Sequence, residues 1–74
     1  MPKLYSARLI LKTLGQAGFI VISQKGSHIK LQKRTGGQLL TVIIPNHKEV
    51  ATGTFSSILR QAQITKKDFE LLIK

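Results

Sequence analysis

The chain has 74 residues, enough for one domain spanning residues 1–74 and too few for a second core. It has no cysteine, which excludes disulfides, cysteine-based zinc sites and a thiolate nucleophile, and which is typical of the reducing cytoplasm. No apolar run reaches the length of a membrane span, and the N-terminus lacks a signal-peptide pattern. We therefore expect a cytoplasmic protein that does not insert into a membrane.

Positive charge dominates the composition, because 12 Lys and Arg residues oppose 3 Asp and Glu residues, for a formal net charge of +9. The first 48 residues contain no acidic residue, and Glu49, Asp68 and Glu70 all follow them. A field of one sign attracts polyanions and speeds their encounter. Nucleic acid is therefore the first expected partner, and an acidic protein or an anionic membrane comes next. The basic residues of this stretch are Lys3, Arg8, Lys12, Lys25, Lys30, Lys33, Arg34 and Lys48.

The N-terminal segment from Lys3 to Gly18 has apolar residues three and four positions apart, which predicts a helix. Gly18 suits the left-handed residue that closes such a helix. Arg8 and Lys12 lie four residues apart on another face. That face is either a track for a phosphate backbone or an ordinary solvated surface.

Three strands are predicted next, at residues 19–25, 28–34 and 38–44, and the last one stops at Pro45. The Gly26-Ser27 pair breaks the first from the second, and Thr35-Gly36-Gly37 is a hairpin signal. Residues 28–34 alternate polar and apolar, as in a half-buried strand. The first and third strands are apolar at nearly every position, so one sheet face is expected to be an exposed patch or a partner site.

Residues 46–53 are predicted to form a polar loop, and Thr54 is predicted to cap a second helix. Gly53 and Thr54 at its start could alternatively bind an anion, although ordinary capping explains them equally well. Residues 65–68 resemble the cap of a short final helix. The predicted fold is α+β in the order α-β-β-β-α, with a short extra C-terminal helix. It has a three-stranded antiparallel sheet with helices on one face, as in double-stranded-RNA-binding domains.

The most informative local motif is Gly26-Ser27-His28. Gly26 permits a turn or a close backbone approach, and Ser27 can donate to a phosphate oxygen. His28 opens the alternating strand on the same face as Lys30, and an imidazole suits proton transfer near neutral pH. The alternative is a surface histidine that merely follows a turn.

His47 lies in the loop after the third strand and has three possible roles: second proton carrier, phosphate contact, or loop residue without a role. A metal site on His28 and His47 is not expected, because the carboxylates are few and distant and no short-spaced ligand pair exists. We therefore predict neither a metal nor a small-molecule cofactor.

Four motifs in order make the chain similar to the HicA family, also called YcfA-like, of toxin–antitoxin systems. They are Gly18-Phe19 after the first helix, Lys25-Gly26-Ser27-His28 at the start of a strand, Pro45-Asn46-His47 after a strand, and residues 53–62 opening the second helix. The resemblance covers residues 4–65, and the tail from Lys66 to Lys74 runs past it. That tail is either a cap on the fold or a partner contact.

The resemblance implies a ribosome-independent mRNA endonuclease, or mRNA interferase, that arrests growth, and an antitoxin, HicB, that shields its active site. It also implies that His28 is the catalytic residue. Together with the charge pattern, it makes Lys25, Gly26, Ser27, Lys30, Arg8, Lys12 and His47 the expected RNA-binding residues. Two alternatives stay open: a non-catalytic RNA-binding module of the same fold, and a protein-interaction subunit whose charge serves only a partner.

Overall fold

The computed structural model describes residues 4–73, which form three helices and one antiparallel sheet with the strand order β1-β2-β3. This confirms the predicted α+β class and the order of its elements. Within the described residues, no helix has the length and apolar character needed to cross a bilayer. The elements are α1 (Ala7–Gln16), β1 (Ile20–Lys25), β2 (His28–Thr35), β3 (Gln38–Pro45), α2 (Thr52–Ala62) and α3 (Lys66–Leu72).

Alternating burial along β2 and β3 shows which sheet face the helices cover. In β2, Ile29 and Leu31 are buried while His28 and Lys30 are exposed, as the period of two predicts. We call the side of the sheet that carries His28 and Lys30 the open face. The buried apolar side chains form one core between the covered face and the helices. Its members are Ala7, Ile10, Leu14, Phe19, Ile29, Leu31, Leu40, Val42, Ile44, Val50, Phe55, Ile58, Leu59, Ala62 and Phe69.

Helix α1 begins at Ala7, four residues after the predicted start at Lys3, which lies outside the described residues. The hydroxyl of Ser6 accepts a backbone N–H from the first turn and so caps the helix. Tyr5 is extended and pairs with Val50, whose N–H donates to the Tyr5 carbonyl at 2.8 Å. This contact between distant segments explains why the apolar periodicity of residues 4–6 does not become helix.

Helix α2 begins at Thr52, so the prediction that Thr54 caps it is wrong. The N-cap is Ala51, which makes no side-chain capping hydrogen bond, and its carbonyl accepts the N–H of Phe55 at 2.8 Å. Gly53 and Thr54 therefore belong to the first turn of the helix. The bridge at Val50 ends the extended chain directly before Ala51, and this fixes the start of the helix.

Helix α3 begins as the sequence predicts, because the Thr65 hydroxyl accepts the N–H of Asp68 at 3.0 Å. Its Phe69 is buried against Tyr5 and Phe55. The short C-terminal helix therefore belongs to the core.

Strand β1 differs from the other two strands because all six of its residues are exposed. It pairs with β2 through a register shift between Val21 and Ser23, and no helix packs extensively against it. The sequence predicts one uncovered sheet face. Within the described residues, β1 is uncovered on both faces.

Candidate functional site

His28 is the first residue of β2 and follows a two-residue turn made by Gly26 and Ser27. Gly26 has a φ of +58°, which glycine adopts without steric cost, whereas Ser27 has no positive φ. This combination is the pattern of a type II′ turn, whose twist suits antiparallel strands. The turn therefore sets the start of β2 and leaves His28 exposed at the end of the sheet.

Two lysines flank His28 on the open face. Lys25 is its cross-strand partner on β1, and Lys30 lies two residues along β2, and both are exposed. The Cβ atoms of directly opposed residues lie about 5 Å apart, within reach of a lysine and an imidazole. Pro45 is the partner of His28 on β3. A histidine between two cations in open solvent can meet a phosphodiester without a clash of charge.

The loop after β3 is held against the turn that precedes His28. The Asn46 N–H donates to the Ser27 carbonyl at 2.6 Å, and the His47 N–H donates to the Pro45 carbonyl at 2.9 Å. The His47 carbonyl in turn accepts the N–H of Ala7 at 2.9 Å. Backbone hydrogen bonds thus connect both histidine-bearing segments to each other and to the start of α1.

An open groove of ≈ 410 Å³ lies where this loop meets α1, and we call it the basic groove. Its walls carry two permanent positive charges, an imidazole, a hydroxyl and an amide, and no acidic side chain. Such a wall suits phosphate oxygens, which accept charge-assisted hydrogen bonds. The lining residues are Ser6, Arg8, Asn46, His47 and Lys48.

The predicted site residues fall into two neighbouring groups. One is the turn cluster, which consists of Lys25, Gly26, Ser27, His28 and Lys30. The other is the basic groove, which contains Arg8 and His47. The hydrogen bond from Asn46 to Ser27 joins the two groups. Lys12 belongs to neither, because it lies one helical turn beyond Arg8 and does not line the groove.

Three residues that sequence reasoning did not select belong to these surfaces. Asn46 and Lys48 line the basic groove. Arg34 is exposed on the same side of β2 as His28 and Lys30, by the period of two. The alternation of residues 28–34 is a sufficient signal for Arg34. Nothing local distinguishes Lys48 from any other loop lysine.

A second cavity, of ≈ 170 Å³, contains none of the predicted site residues. Its walls mix apolar and polar surface, and its two charged side chains, Lys66 and Glu70, have opposite signs. It therefore offers no excess positive charge to a polyanion. The remaining lining residues are Leu4, Tyr5, Val50, Thr52 and Phe55.

Comparison with known protein families gives a match over most of the chain. The family model described as the HicA toxin of bacterial toxin–antitoxin systems matches residues 7–64, which include all of α1, the sheet and α2. The match ends before α3. No curated protein matches the chain.

Proposed function

The chain belongs to the HicA toxin family of bacterial toxin–antitoxin systems, and we propose that it is a metal-independent mRNA endonuclease with His28 as its catalytic residue. The observation that carries the proposal is the position of His28. It is exposed on the open face, with Lys25 opposite it and Lys30 two residues along the strand. Exposure gives the imidazole access to a phosphodiester, and the two lysines place positive charge beside it.

The chemistry requires two proton transfers and one stabilised charge. The ribose 2′-hydroxyl loses a proton, and its oxygen attacks the adjacent phosphorus. The bond from phosphorus to the 5′-oxygen then breaks, and that oxygen gains a proton, which leaves a 2′,3′-cyclic phosphate and a free 5′-hydroxyl. His28 serves as base or acid in this sequence, and solvent water carries the proton of the other transfer. Lys25 and Lys30 stabilise the extra negative charge on the phosphoryl oxygens.

The basic groove binds the RNA backbone beside the cleaved bond. Arg8 and His47, together with Lys48, present donors to phosphate oxygens, and the groove adjoins the turn cluster through the bond from Asn46 to Ser27. Lys12 continues the positive charge along α1. Ser27, at the turn, donates to a phosphate oxygen, and Gly26 keeps the turn open. Contacts of this kind position RNA without reading its sequence.

The proposal includes a cytoplasmic site of action, where mRNA is the substrate, and a HicB-type antitoxin as the protein partner. The toxin–antitoxin family supports a partner of this kind. The net charge of +9 favours an acidic one.

Cleavage of a long single-stranded RNA in excess EDTA tests the proposal. The wild-type chain should cut the RNA, and His28→Ala should lose about 10²–10⁴ in rate while it retains RNA affinity. His47→Ala is the comparison variant, because it removes the exposed histidine of the groove; it should weaken RNA binding and leave the cleavage rate of bound RNA nearly unchanged. Binding without cleavage by the wild-type chain would favour the non-catalytic RNA-binding module. Cleavage that EDTA abolishes would contradict the metal-independent mechanism.

A further inference from the structure

Strand β1 presents apolar side chains and a strand edge to solvent at the same place. Ile20, Val21 and Ile22 are 68%, 52% and 48% exposed. Single exposed apolar residues are ordinary, but three in a row on an edge strand are a site for pairing with another chain. Edge strands that stay unpaired normally carry charge or proline there.

The opposite edge of the sheet, formed by β3, has a side-chain partner. On β3 the N–H of Ile43 donates to the side-chain oxygen of Gln61 on α2 at 3.1 Å, so part of that edge is occupied. The backbone N–H and carbonyl of Ile43 therefore point away from β2. Since Lys30 is the partner of Ile43 in this pair, the backbone groups of Lys30 point away from β3 and towards β1. Lys30 pairs there with Ser23, so the next residue, Gln24, must turn its N–H and carbonyl outward. Among residues 4–73, the outer edge of β1 thus offers hydrogen-bonding groups without a partner.

The surrounding charge identifies the chemistry of the occupant. Lys25 and Lys30 lie on or next to β1, and each copy of the chain has a net charge of +9, so a second copy would be repelled. RNA fits this strand poorly, because Ile20, Val21 and Ile22 offer no aromatic ring on which a base could stack. An acidic polypeptide with its own apolar side chains can hydrogen-bond to the strand edge, and its carboxylates can pair with the lysines.

We propose that β1 is the docking edge for an extended, acidic segment of the antitoxin, which adds as a fourth strand of the sheet. This inference rests on the proposed toxin–antitoxin function and specifies the surface through which the partner acts. Neighbouring strands lie about 4.8 Å apart, so the added strand would lie about 10 Å from β2. Acidic side chains at its end reach Lys25, the cross-strand partner of His28. Docking thereby also neutralises the charge beside the catalytic residue.

Two pairs of variants test the side chains and the backbone separately. The probe is the purified protein encoded in the reading frame next to the toxin gene, titrated into the full 74-residue chain by calorimetry. Ile20→Ala and Val21→Ala should each weaken binding about tenfold. Leu71→Ala, on α3, is the matched control, because Leu71 is 68% exposed like Ile20. Gln24→Pro removes the outward N–H and should weaken binding similarly, whereas Gln24→Ala keeps it and should not.

The outcomes separate this surface from the proposed function. If the neighbouring protein binds and neither the β1 variants nor Gln24→Pro change its affinity, the docking edge is wrong, although RNA cleavage by His28 stands. If the β1 variants instead weaken RNA binding in the absence of the partner, β1 is an RNA surface and the proposal fails. If the β1 variants change only the self-association of the chain in analytical ultracentrifugation, the occupant is a second copy of the chain and the proposal fails. If the wild-type chain binds no neighbouring protein at all, both the partner and the surface are wrong.

Discussion

The ring of Phe69 packs edge-on against the ring of Phe55, with centroids 4.9 Å apart and an angle of 75° between the planes. Phe69 makes a similar contact with Tyr5 at 5.3 Å. Such pairs contribute about 0.5–1.5 kcal/mol beyond the burial of their area. Phe69 lies outside residues 7–64, the part that matches the family model, yet its side chain is fully buried. Helix α3 is therefore a structural extension of this chain that closes the core beside α1.

We predict that Phe69→Ala lowers the free energy of unfolding by about 3–5 kcal/mol, because it removes a fully buried ring. Domains of this kind have only about 5–15 kcal/mol in total, so a substantial part of the stability would disappear. Urea denaturation followed by circular dichroism measures the change. Leu71→Ala, two residues away on the same helix but exposed, should change stability by less than about 0.5 kcal/mol. Equal effects of the two changes would mean that α3 does not close the core.

The turn before His28 gives a second prediction. An added Cβ at Gly26 would meet no atom within 4 Å, so the only cost of Gly26→Ala is its φ of +58°. We expect the free energy of unfolding to fall by about 1–2 kcal/mol. Gly15→Ala is the control, because Gly15 also has free space but lies in α1 without a positive φ. That change should raise stability by up to about 1 kcal/mol.

Thermal melting measures both changes: the midpoint of Gly26→Ala should lie below that of the wild type, and the midpoint of Gly15→Ala above it. If Gly26→Ala were neutral, the turn would be able to adopt another conformation, and the start of β2 would not depend on glycine.

Local sequence is sufficient for the part of the site that lies on one strand. The side of β2 that carries His28 and Lys30 follows from a period of two over seven residues, and the turn at Gly26 follows from its composition. Each of these features depends on residues that are close in the chain. For the same reason, the prediction of a cap at Thr65 is confirmed.

Features that depend on contacts between distant segments could not be read from the sequence. The start of α2 at Thr52 is set by the bridge between Tyr5 and Val50, which are 45 positions apart. The basic groove brings together Arg8 and His47, and no local pattern links these residues. The exposure of both faces of β1 likewise depends on where the helices pack.

The basic groove gives a third prediction, on the salt dependence of RNA binding. The double change Arg8→Ala and Lys48→Ala should weaken affinity for single-stranded RNA. It should also reduce the slope of log K against log salt by about 0.7 for each phosphate that the protein no longer neutralises. Lys67→Ala on α3, which removes one exposed charge outside the groove, should leave the slope nearly unchanged. Fluorescence anisotropy at several salt concentrations measures both. An unchanged slope in the double variant would mean that the groove does not bind phosphates.

The fourth prediction uses neighbouring residues on opposite sides of β2 to separate catalysis from folding. His28 is exposed on the open face, whereas Ile29 is buried in the core, although the two are adjacent in the chain. His28→Ala should therefore abolish growth arrest on induction and change the free energy of unfolding by less than about 0.5 kcal/mol. Ile29→Ala should cost about 2–5 kcal/mol, and any decrease in toxicity should follow the fraction of folded protein.

Toxicity assays in a host that lacks the antitoxin, together with denaturation curves of both variants, make the comparison. In Ile29→Ala, toxicity should return when the temperature is lowered and the fold recovers. In His28→Ala, toxicity should stay absent at every temperature, because the proton-transfer group itself is missing. A His28→Ala variant that arrests growth like the wild type would remove His28 from the mechanism. A variant that unfolds like Ile29→Ala would make the imidazole a structural group, in conflict with its exposure at the first residue of β2.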